Sequence, residues 1–93
     1  MRAVDPGYPG AGLIRHGLDD WRRGIASVPA LLAQVGAPRL RRLGIETPPT
    51  GGAPPEQRLY ALLAADHGDA AHSRYNALIR RLVSFERAAA CGD

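Results

Sequence analysis

Lysine is absent. All twelve basic residues are arginine, set against nine acidic ones for a formal net charge of +3. Every fixed positive group is thus a planar fork suited to carboxylates, phosphates and aromatic faces. The excess is too small to demand a nucleic-acid partner on charge alone. Cysteine occurs once, at Cys91, which excludes an internal disulfide and suits a reducing compartment. The longest apolar run, Leu59 to Ala65, falls far short of the roughly 20 residues that span a bilayer. Met1 to Gly7 contains no apolar stretch of signal-peptide type, and neither Arg2 nor the position of Cys91 fits lipid attachment. The expected location is the cytoplasm, with no membrane partner.

Motifs that carry chemistry are also missing. Thr50-Gly51-Gly52-Ala53 has neither the following lysine nor the preceding strand of a phosphate loop. Asp66, His67, Asp69 and His72 gather around one reversal. Yet Gly68 breaks the helix between the two histidines, so they lack the shared face on which two histidines grip zinc. Cys91 sits beside Gly92 and Asp93, with nothing near it to stabilise a thiolate. No catalytic residue, cofactor or metal ligand is therefore expected. No strand-like alternation or internal repeat is present either.

What is present is helix and punctuation. Glycine and proline total nineteen, and twelve of them fall within residues 6–12 and 44–55. Neither stretch suits a regular element. The chain divides into a flexible arm (1–12), a short-helix subdomain (13–45), a Pro/Gly-rich linker (46–54) and a helical hairpin (55–90), all one domain. The predicted fold is all-α, a small bundle of four to five helices built on that C-terminal antiparallel hairpin.

The strongest helix spans about Asp69 to Ala89, with Asp69 as N-cap. Its seam of Ala71, Tyr75, Leu78, Leu82, Phe85 and Ala89 advances by three or four residues. Before it, Pro55 to Asp66 forms a helix apolar on every side from Leu59 to Ala65, which predicts burial all round, either at the centre of the bundle or at an interface. In the first half, Ile14, Leu18, Trp21 and Ile25 share a face, and Asp19 is placed to pair with Arg23. Gly17 and Gly24 weaken that helix. Ser27 and Pro29 start a short helix ended by Gly36, and Pro38 opens another through Leu43. Gly44 and Ile45 fit a left-handed cap, with Ile45 packing back on Leu40.

The segment from Leu31 to Ile45 resembles a helix-turn-helix or helix-hairpin-helix outline. Its second helix has only six residues, with a proline at its start, which is short for reading a groove. Arg39, Arg41 and Arg42 form one dense basic cluster with no acid inside the same helix. Glu86 falls inside the apolar arc of the last helix, without a basic residue four places away on either side. It either reaches solvent or takes an arginine such as Arg23 or Arg58, or one from another chain.

A domain of 93 residues buries only about 60–65% of its unfolded surface, so help from a partner is expected. The reading is a small non-catalytic protein–protein interaction module: an adaptor, accessory subunit or inhibitor, with a homodimer as one form. The expected partner-binding residues are Arg39, Arg41, Arg42, Tyr60, Tyr75, Arg80, Arg81 and Glu86. The alternative is a nucleic-acid-associated regulatory protein whose arginines meet phosphates.

Overall fold

The computed structural model describes residues 7–49 and 52–91, and every regular element among them is helical. In chain order these are α1 (Ala11–Arg22), α2 (Val28–Val35), α3 (Ala37–Arg42), α4 (Pro55–His67) and α5 (Ala71–Cys91). A 3-10 turn, Gly68–Ala70, joins the last two. The radius of gyration, 12.7 Å, is near the ~12 Å of a folded chain this long. None of the described helices is long and apolar enough to cross a membrane.

Local chemistry sets the helix ends. Ser27 caps α2 by accepting the amide of Ala30, with a proline in the first turn. After α1 and α3 the chain takes the same exit. Gly24 and Gly44 adopt φ of 77° and 85°, and the next residue's amide bonds five residues back, Ile25 to Asp20 and Ile45 to Leu40. Both exits are Schellman motifs, which need a left-handed residue that glycine supplies without strain.

The core is organised on α2, which packs against α1, α3, α4 and α5. Ala30, Leu31, Leu32 and Ala33 are all buried, so this short helix meets protein on every side. The α1–α2 crossing is very close. A Cβ at Gly17 would stand 2.1 Å from the Pro29 carbonyl oxygen, so only glycine permits this approach. From α5, Leu82, Phe85 and Ala89 are buried, whereas Tyr75, Leu78 and Ile79 are half-buried.

Several expectations need correction. Helix α4 is not the buried centre of the bundle: Leu59 and Leu63 are buried and Leu62 half-buried, but Tyr60, Ala61, Ala64 and Ala65 face water in the single chain. The reason is position, since α4 packs mainly on α2 and α5, and the side that carries these residues is left exposed among the described residues. Ile25 leaves the apolar face of α1, being 46% exposed beyond the helix end. The arm expected over 1–12 gives way to α1 at Ala11. Tyr8 packs edge-on against Phe85, with ring centroids 6.1 Å apart; residues 1–6 of that arm lie outside the described residues. The last helix starts at Ala71, two residues after the expected cap, because Asp69 belongs to the 3-10 turn.

The segment after Ile45 is tied back. Arg41 donates to the Thr47 hydroxyl at 2.7 Å and to the Pro48 carbonyl at 2.9 Å, and Arg22 reaches the Glu46 carbonyl. Residues 50 and 51 of the expected linker lie outside the described residues.

Candidate interaction site

The three arginines of α3 divide between two tasks. Arg41 holds Thr47 and Pro48, as above, and so serves the fold. Arg39 turns to α5, where its Nη1 stands 3.8 Å from Oε1 of Glu86. Glu86 thus finds its counter-charge on α3, not at Arg23 or Arg58 as the sequence suggested. Arg23 instead pairs with Asp19 at 3.5 Å on the exposed side of α1.

The surroundings of Glu86 are unequal. Its side chain is only 7% exposed while that of Arg39 is 67% exposed, so the pair lies across the protein boundary. Burial pushes the Glu86 carboxyl above the ordinary glutamate range, and the charge of Arg39 offsets part of that rise. Oε2 lies close enough to Gly36 that a methyl there would come within 3.3 Å of it. At 3.8 Å the ion pair is longer than a charge-assisted hydrogen bond of about 2.7–2.9 Å. Arg39 is therefore held loosely.

Beside this pair opens a cleft of about 270 Å³, lined by Arg39, Arg42, Leu43, Glu86, Arg87 and Ala90. It brings together three of the expected residues, Arg39, Arg42 and Glu86, and adds Arg87. The other expected residues stand apart from it. Arg80 and Arg81 are exposed on α5. Tyr60 and Tyr75 form an aromatic pair across α4 and α5, with centroids 5.6 Å apart, and the His72 ring lies 6.5 Å from that of Tyr60.

A polar constellation escaped the sequence reading. Asp20, 8% exposed near the end of α1, accepts the Ser27 hydroxyl at 2.7 Å and lies 3.1 Å from Nε2 of His16. The Ser27 oxygen in turn accepts the Ala30 amide. These are the residue types of a hydrolytic triad in the wrong order, because the carboxylate, not the imidazole, touches the serine. The serine oxygen is also spent on capping α2. The cluster is a strap that ties the end of α1 to the start of α2. Spacing hinted at half of it, since Asp20 lies four residues after His16; the serine contact depends on the intervening turn.

Among the described residues, no group of three or more His, Cys, Asp or Glu side chains is placed to hold a metal ion. Comparison with protein-family models, with curated proteins and with solved structures finds no match to this chain.

Proposed function

We propose that the chain is a small non-catalytic protein–protein interaction module, an adaptor, accessory subunit or inhibitor. In this reading α4 and α5 act as an antiparallel hairpin whose outer side is the binding face, with a second copy of the chain as the simplest partner. One observation carries it: Tyr60 is 40% exposed on a helix whose neighbouring Ala61, Ala64 and Ala65 also face water. Its ring is already braced against Tyr75. An aromatic anchor held in place before binding loses little conformational freedom on association, and small neighbours allow a second helix to come close. A single cysteine fits action in the cytoplasm.

Molar mass in solution, at low and high salt, tests the reading. The expected result is a dimer at both salt concentrations that Tyr60→Arg converts to monomer. A monomer throughout, at every protein concentration, overturns the self-associating form and leaves a heterologous protein as partner.

A nucleic-acid-associated role is the second reading. It draws on α5, which exposes Arg74, Arg80, Arg81 and Arg87 and no acidic side chain. With Arg39 and Arg42 these would meet phosphates. Such binding weakens steeply as salt rises, through counterion release at each contact, whereas an apolar helix interface persists. Adding a DNA duplex to the same mass measurement separates the two.

A further inference from the structure

The α3–α5 cleft differs in kind from the outer face of α4. Three arginines, Arg39, Arg42 and Arg87, stand around an apolar floor of Leu43 and Ala90, and the one acid among them, Glu86, is almost withdrawn from water. Positive charge at the mouth therefore has a poorly placed partner within. Arginine forks prefer a planar oxyanion they can grip with two donors, and Arg39 does not grip Glu86 that way at 3.8 Å. The cleft, at about 270 Å³, is near the lower end of small-molecule sites and suits a short ligand.

From this geometry we propose that the cleft binds a small organic carboxylate, which takes Arg39 as counter-charge while Glu86 accepts a proton and donates it as a hydrogen bond. Two carboxylates in one small site cannot both stay ionised without cost, so they share one proton. A protonated Glu86 is a donor to the incoming carboxylate. The proton comes from solvent. The charged groups that line the cleft with Glu86 are Arg39 and Arg42 from α3 and Arg87 from α5. Helix α2, which also packs on α5, contains no ionisable residue. Among the described residues, no histidine or second acid lines the cleft to take the proton in its place. Burial has already raised the Glu86 carboxyl towards that protonated state.

Titration calorimetry of the full chain with glutarate, at about pH 6 and about pH 8 and in two buffers of different ionisation enthalpy, tests this. The expected result is binding at the lower pH with net uptake of up to one proton, and affinity that falls by about tenfold or more at the higher pH. Glu86→Gln, which keeps the hydrogen-bond donor without the charge, is expected to bind at both pH values alike and to take up no proton. Arg39→Gln and Arg42→Gln are each expected to weaken binding by about tenfold or more. Circular dichroism confirms that each variant folds, and Arg42→Gln, which leaves the Glu86 pair intact, covers a misfolded Arg39→Gln. Three results overturn the proposal: no glutarate binding at either pH, the same pH dependence in Glu86→Gln, or phosphate binding more tightly than glutarate without proton uptake. A Glu-rich peptide that outbinds glutarate with no proton taken up overturns it too, in favour of a macromolecular docking surface.

Discussion

Helices α2 and α4 are both poor in charge over their central turns, yet they meet water in opposite ways. In α2, four consecutive residues from Ala30 to Ala33 are buried; in α4, Leu59 and Leu63 are buried while Tyr60, Ala61, Ala64 and Ala65 are exposed. Composition does not separate them. The number of neighbours does: α2 is covered by four helices and α4 leans on two. Apolar residues all round a helix state a demand for cover, and the rest of the chain decides whether it is met. Here the described residues complete one such enclosure and leave the other half open.

The enclosure of α2 depends on Gly17, and substituting it gives the largest expected effect. In a free helix, Gly→Ala stabilises by about 1 kcal/mol. At Gly17 the added methyl would meet the Pro29 carbonyl at 2.1 Å and Ala33 Cβ at 3.2 Å, and a backbone atom cannot rotate aside. The sign reverses, with a loss of more than about 3 kcal/mol in urea unfolding. A stabilised Gly17→Ala protein would show that α1 and α2 do not cross this closely.

Leu82→Ala comes next, on α5. It removes a side chain 3% exposed and is expected to cost about 3 kcal/mol by the same measurement. Ser27→Ala follows at about 1 kcal/mol, through loss of the α2 cap and of the hydroxyl that Asp20 accepts.

These cases show which features could be read from the sequence and which could not. Ser27, Pro55 and the Gly44–Ile45 exit were legible because caps and turns are decided within a few residues. The seam from Leu82 to Ala89 was legible because helical spacing is also local. Helix propensity alone assigns Gly17 a cost, whereas its role is contact with Pro29 on another helix. Glu86 stands out of place within the apolar arc of its helix, but its partner Arg39 lies on a distant helix whose packing only the fold determines. The place of α4 at the edge of the bundle and not at its centre has the same origin, for periodicity reports which faces are apolar and nothing about what covers them. The strap of Asp20 on Ser27 likewise depends on a turn whose direction the residues alone did not reveal.

Glu86 offers a smaller effect that depends on pH. Its carboxyl is raised in the folded protein, so the folded state holds a proton that the unfolded chain releases over about pH 4–5. Stability is therefore higher below that range, declines as pH rises through the unfolded and then the folded value, and stays flat beyond. Glu86→Gln is expected to remove this decline and to be the more stable protein at neutral pH. Thermal unfolding across the acid range measures it, and a wild-type protein that gains stability over pH 4–6 instead would mean that Arg39 outweighs burial.

The smallest effect is expected at Tyr60, next in sequence to the fully buried Leu59. Tyr60 is 40% exposed, and its ring contacts are with the half-buried Tyr75 and the exposed His72 on α5. Tyr60→Ala should therefore cost the monomer under about 1 kcal/mol, since little apolar area changes its exposure. The measurement belongs at protein concentrations low enough to keep the chain monomeric, because any dimer contact would add to the apparent cost. A cost that grows with concentration locates the missing cover of α4 in a second copy. A cost as large as that of Leu82→Ala at every concentration would mean that Tyr60 supports the core directly, and that the contrast between α2 and α4 is weaker than their burial implies.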